Sequence, residues 1–147
     1  MFSAENLTQM FTQLIPLLGH AGFQVEDVRS GWIRTRMPLE PNHNHLGSVY
    51  AGSLMSMAEI SGGVLVSTVL DTSLYKLMVK NISIEYHRLA FSDVFVEMAI
   101  PEDFLPSVEA QCREQGKAFY VLTVDVMDAE GSKVATALLN YRLKPMS

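Results

Sequence analysis

Cysteine is nearly absent from this sequence: Cys112 stands alone. No internal disulfide can form and no cysteine cluster can ligate a metal, which suits a reducing compartment. Positive charge is also scarce, with 11 Lys and Arg against 16 Asp and Glu and a formal net charge of −5. A generic nucleic-acid or acidic-membrane partner needs a basic surface and is not expected, although a small patch for a phosphorylated cofactor stays open. Met1 to Leu18 lacks the basic start and unbroken apolar core of a secretory signal, so a cytoplasmic protein is expected. No linker, low-complexity tract or internal repeat appears. Residues 1–147, with 48% apolar composition, are therefore expected to form one domain. Folding would bury roughly two-thirds of the unfolded surface.

Charge is almost missing from Leu46 to Leu70 (LGSVYAGSLMSMAEISGGVLVSTVL), where Glu59 is the one ionisable acid. The run is long enough to cross a bilayer. Against that stand Glu59 itself, five serines, four glycines and no flanking Lys or Arg before Lys76. A helix buried inside a soluble protein is the expected form. An ionised side chain is expensive to bury without a partner, so a lone acid on such a helix marks a place to look for chemistry.

Around this helix the pattern alternates. Leu7, Met10, Phe11, Leu14, Ile15 and Leu18 have helical spacing behind a Ser3 cap and predict a helix ending near Gly19. Phe23 to Val28 and Trp32 to Met37 read as a hairpin about Arg29-Ser30-Gly31. The long helix is predicted from about Ser48 to Leu70. Ile82, Ile84 and Tyr86 alternate with polar residues, as do Val94, Val96, Met98 and Ile100. Leu105 to Glu114 predicts a short helix, and Ala118 to Met127 with Lys133 to Leu143 a last hairpin. A helix apolar on nearly every side must be covered, so the expected architecture is α+β, an antiparallel sheet of five or six strands wrapped around a long central helix. Such a sheet leaves an open edge that a second copy would close.

On a helical wheel Ser48, Gly52, Ser56, Glu59 and Gly63 share a stripe, while Tyr50, Leu54, Met57, Ser61 and Leu65 face away. Small residues there either floor a groove or let a strand pack closely. Asn44-His45-Leu46-Gly47-Ser48-Val49-Tyr50-Ala51-Gly52 leads into the helix, and the backbone N–H groups near Tyr50 to Gly52 are candidates for its unpaired first turn. Such donors polarise a carbonyl, and a carboxylate two turns on can activate water or attack directly.

Asn44-x-x-Gly47-x-x-Tyr50-Ala51-Gly52, followed by Met57-Ala58-Glu59, resembles the phenylacetic-acid-degradation type of hotdog-fold acyl-CoA thioesterase. That family carries Asn-x-x-Gly-x-x-His-Gly-Gly before its central helix and an Asp or Glu where Glu59 stands. The segment Asn81 to Ala90, Gly116-Lys117-Ala118 and the final hairpin extend the similarity over nearly the whole chain. The resemblance implies a hotdog fold and hydrolysis of an acyl thioester to free acid and CoA. It assigns Glu59 as base or nucleophile, Asn44 as an orienting hydrogen-bonder and the N–H near Gly52 as carbonyl polariser, with groups drawn from two subunits of a dimer or dimer of dimers. Coenzyme A is then part of the substrate and no cofactor is needed. Tyr50 and Ala51 replace the family's His-Gly pair, so a histidine's part is either absent or supplied by His43 or His45.

A dehydratase or hydratase of the same fold would use a His shortly before the helix, such as His45, together with Glu59. A non-catalytic acyl-CoA-binding protein would keep only the groove. Substrate contacts are expected from His45, Gly47, Tyr50 and Ser56, and contacts to the nucleotide phosphates from Lys80, Arg88 and Lys117. His43 and His45 lack a third ligand nearby, so no metal site is expected. His87 reads as a solvent-side strand residue and His20 as a partner for helix-end carbonyls.

Overall fold

Six strands pair antiparallel in one sheet, in the order β1-β2-β4-β5-β6-β3. The strands are β1 (Gln24–Arg29), β2 (Trp32–Met37), β3 (Tyr75–Tyr86), β4 (Val94–Ala99), β5 (Ala118–Asp128) and β6 (Lys133–Pro145). The computed structural model describes residues 3–146; Met1, Phe2 and Ser147 of the expected domain lie outside the described residues. Both hairpins fall where alternation and turn residues predict them. β3 is longer than its alternating part, because Tyr75 to Val79 also pair with β6 before a bulge that leaves Lys80 unpaired between Val79 and Asn81.

At the N-terminus the single expected helix is two. Helix α1 (Ala4–Leu14) starts on Ser3, whose hydroxyl accepts from the Asn6 N–H at 3.1 Å. It stops at Ile15 because Pro16 disfavours helical geometry in the residue before it, and Ile15 takes φ −126°, ψ 89°. Helix α2 (Pro16–Ala21) then begins on that proline and closes at Gly22 in the left-handed region, with His20 in its last turn. A short turn, α3 (Leu39–Asn42), precedes the long helix α4 (Ala51–Ser67), and α5 (Phe104–Gln115) packs on β5 and β6.

Helix α4 packs against β2, β3, β4, β5 and β6. Leu54, Met57, Ala58, Ile60, Val64, Leu65 and Val66 are buried there. Each large side chain contributes about 1.5–3 kcal/mol of burial. This explains why the helix shows so little polar-apolar asymmetry in sequence. It spans three residues fewer at each end than expected, since Tyr50 is extended and Thr68 closes the last turn. No helix of the described residues is long and apolar enough to cross a membrane.

Two adjacent glycines in α4 have opposite surroundings. A Cβ at Gly62 would stand 2.6 Å from the Tyr141 hydroxyl and 2.8 Å from a Leu139 methyl, whereas one at Gly63 would meet nothing within 4 Å. Gly62→Ala is expected to destabilise by about 1–3 kcal/mol through overpacking, and Gly63→Ala to stabilise by about 0.5–1 kcal/mol through helix propensity. Urea denaturation of the two variants checks the opposite signs.

Candidate active site

The loop before α4 is shaped by two asparagines. The buried Asn42 donates from Nδ2 to the carbonyls of Ala21 and Pro38, both at 2.8 Å, and accepts from the Ser53 hydroxyl at 3.0 Å. It fastens α2 and the loop to the start of α4. Asn44 accepts through Oδ1 from the Leu46 N–H at 2.9 Å and from the Ser48 N–H and hydroxyl, both at 3.2 Å. These bonds close the turn in which Gly47 takes φ +81°, the left-handed region that favours glycine. The Asn44 Nδ2 group makes no hydrogen bond with the described residues and stays available as a donor.

Tyr50 caps α4 without a side-chain hydrogen bond, while its carbonyl accepts from Ser53 and Leu54 at 2.9 and 3.1 Å. The N–H groups of Ala51 and Gly52 find no acceptor among the described residues. Of the N–H groups expected to be unpaired from Tyr50 to Gly52, that of Tyr50 donates instead to the Asn42 carbonyl at 2.8 Å. The wheel does not apply to Ser48 and Tyr50, because both precede the helix. Ser48 is fully buried against Asn44 instead of lying on the open stripe. Tyr50 is 58% exposed, and its ring folds back so that a Cβ at Gly52 would lie 2.5 Å from a ring carbon.

From Gly52 onward the wheel holds. Gly52, Ser56, Glu59 and Gly63 form the partly open stripe, and Leu54, Met57, Ser61 and Leu65 are buried opposite. Ser56 donates to the Gly52 carbonyl at 2.9 Å. The Glu59 carboxylate makes no hydrogen bond or salt bridge with the described residues, and burial raises its pKa above the ordinary carboxylate value. Beneath it the Tyr141 hydroxyl donates to the Glu59 carbonyl at 3.4 Å; burial, and then the Glu59 charge, push that phenol's pKa up.

Two cavities flank the start of α4. One of about 330 Å³ is lined by Leu17, Leu18, Tyr50, Gly52, Ser53 and Ser56, among others. The other, of about 280 Å³, is lined by Asn44, Ala51, Leu54, Tyr86 and Arg88, among others. Tyr86 donates its hydroxyl to the Ala51 carbonyl at 3.0 Å, pinning the end of β3 to the helix start. Burial and the neighbouring Tyr50 raise its pKa.

Thus the structure brings Asn44, Tyr50, Gly52, Ser56 and Arg88 to the start of α4, with Glu59 further along the same stripe. His45 is exposed in the loop and lines neither cavity. His43 pairs with Glu40 at 2.8 Å. Lys80 and Lys117 sit apart, exposed at the β3 bulge and in the turn before β5, where Lys117 lies over the Phe119 ring. His87 meets the Thr136 hydroxyl at 2.9 Å. No group of three or more His, Cys, Asp or Glu among the described residues could hold a metal ion. Tyr86 and the α2 leucines were not expected at the site. Tyr86 carried a local signal in its alternation with Ile82 and Ile84, and Leu18 only its helical spacing.

The chain resembles a crystal structure from Pseudomonas aeruginosa described as a protein of unknown function and "Probable Thioesterase", with 31% identity, 98% of this chain and 97% of that one covered, and a TM-score of 0.91. A protein of unknown function from Chlorobaculum tepidum has 18% identity, coverage of 97% and 96%, and a TM-score of 0.80. A thioesterase from Haemophilus influenzae has 17% identity, coverage of 99% and 93%, and a TM-score of 0.77. At such identities the last two show the fold alone. No curated protein matches the chain. Residues 3–143 match the family described as Domain of unknown function (DUF4442), and the chain belongs to that family.

Proposed function

We propose that the chain is a single-domain hotdog-fold enzyme of the phenylacetic-acid-degradation type that hydrolyses acyl thioesters of coenzyme A. The observation that carries this reading is the open stripe of α4, where unpaired N–H groups at Ala51 and Gly52 precede a desolvated carboxylate, Glu59, that has no partner among the described residues. In this reading the thioester carbonyl lies at the helix start, where the Gly52 N–H and the helix dipole stabilise the developing oxyanion. Glu59 of a second copy takes a proton from water as the oxygen attacks the carbonyl carbon, or attacks that carbon itself. Collapse of the tetrahedral species breaks the carbon–sulfur bond and the CoA thiolate leaves and takes up a proton; after direct attack, water then hydrolyses the acyl–Glu59 anhydride to the free acid and frees the carboxylate.

Asn44 Nδ2 orients the carbonyl, Tyr50 and Ser56 line the acyl side, and Arg88 lines the second cavity, where it can meet a phosphate of CoA. Coenzyme A enters as substrate, with no cofactor and no metal. The edge of β3 pairs with a second copy in a dimer or dimer of dimers. The 31%-identical relative described as a probable thioesterase supports this reading.

A panel of short, long and aromatic acyl-CoAs, assayed for free thiol, tests it. Thiol release with at least one of them is the expected result. Hydration of an enoyl thioester without thiol would make the chain a dehydratase, and calorimetric affinity without turnover would make it a binder.

A further inference from the structure

Five of the 11 Lys and Arg residues, Lys76, Lys80, Lys117, Arg142 and Lys144, converge on one corner of the sheet. Register does this. Lys76 lies directly opposite Lys144 on the β3–β6 ladder, Met78 opposite Arg142, and Arg142 in turn opposite Phe119 of β5. Lys117 holds its ammonium 5.6 Å above the Phe119 ring, and Lys80 sits at the β3 bulge. Adjacent strands lie about 4.8 Å apart, and like charges facing each other at that distance destabilise a sheet. No salt bridge relieves any of the five among the described residues; the cations that do pair are Arg34, Arg36, His43 and Lys133. A net charge of −5 conceals this corner, because net charge carries no position.

The shape and composition of the corner narrow its partner. None of the five cations lines either cavity at the start of α4, and four of them stand on paired strands of the sheet. Exposed apolar side chains are set among them: Met78 is 40% and Phe119 47% exposed, and Leu74 and Met146, joined by a backbone bond of 2.9 Å, are 57% and 52% exposed. Four of the five cations are lysines. Protein–protein interfaces favour arginine and deplete lysine. Lysine stems instead lie along an apolar layer while the ammonium stays in a polar one. We propose that this corner docks on a bilayer surface containing anionic phospholipid, with Lys76, Lys80, Lys117, Arg142 and Lys144 among the headgroups and Phe119 and Met78 against the acyl boundary. The docking is independent of the hydrolytic reading.

Flotation of the full chain with phosphatidylcholine vesicles, with or without about one-third phosphatidylglycerol, tests this. Binding is expected only to the anionic vesicles, and it should fall as ionic strength rises from about 0.05 to about 0.5 M, because the screening length shortens. Each basic residue at such a surface is worth about fivefold in partition, so Lys76→Gln with Lys144→Gln should lower binding roughly 25-fold. The melting temperature of that variant should hold or rise, since facing like charges are removed. Lys133→Gln, at the far end of β6, should bind like the unaltered chain. Absence of binding to anionic vesicles, equal binding to neutral ones, or full binding by the double variant would overturn the proposal. So would binding of polyglutamate in place of vesicles, which marks an acidic-protein surface, or a changed sedimentation mass of the double variant, which marks a contact between copies.

Discussion

Glu59→Gln is expected to slow thiol release by about 10²–10⁴-fold, the usual contribution of a positioned general base, while leaving the fold intact. Glutamine matches the volume of the side chain but accepts no proton. Only the ionised form of Glu59 serves, and burial raises the pKa above 4.5. Activity of the unaltered protein should therefore climb as pH rises through that raised value, and the variant's residual rate should lack this limb. Stability runs the other way. Between the unfolded value near 4.5 and the raised folded value, the folded chain binds more protons than the unfolded one, so stability falls as pH rises through that window. Glu59→Gln avoids that loss. Its melting temperature should exceed that of the unaltered protein at pH 8, and the two should converge below about pH 4.5. Turnover by Glu59→Gln at the unaltered rate would remove Glu59 from the chemistry.

Co-expression of Gly52→Val with Glu59→Gln should restore about a quarter of the activity that each variant alone lacks. The argument is one of reach. Gly52 and Glu59 are seven positions apart on one helix, a rise of about 10 Å. Groups that must each stand about 3 Å from one reacting carbonyl cannot be that far apart, so the N–H of one copy works with the carboxylate of another. Valine at position 52 blocks the approach to the helix start and displaces the Tyr50 ring, which already occupies the place of a Cβ. In a mixed dimer one site receives both defects and the other none, and random pairing makes half the dimers mixed. A mixture as inactive as its parents would place both groups in one chain's site and sink the two-copy arrangement.

Much of the fold was legible because it is periodic. Alternation placed β2 without error and both hairpins to within a residue or two, and the uncharged run located α4. The N-terminal segment departs from its periodicity, because Pro16 breaks what the spacing of Leu7 to Leu18 joins. At the site, the stripe from Gly52 to Gly63 followed from helical geometry, whereas Ser48 and Tyr50 left it because they stand before the helix begins. Lys80, Arg88 and Lys117 looked equivalent as phosphate contacts. Folding separates them, with Arg88 at the start of α4, Lys80 at the β3 bulge and Lys117 in the turn before β5.

By itself, then, the sequence determined an α+β chain with a buried helix, one acid on its small-residue stripe and a helix start that leaves backbone N–H groups unpaired, because these properties arise from neighbours within a few residues. The tertiary structure decided which distant residues share a surface. The fold of Tyr50 over Gly52, the bond from Tyr86 to Ala51 and the meeting of five cations from β3, β5 and β6 all depend on packing and strand register. Spacing along the chain does not encode them locally.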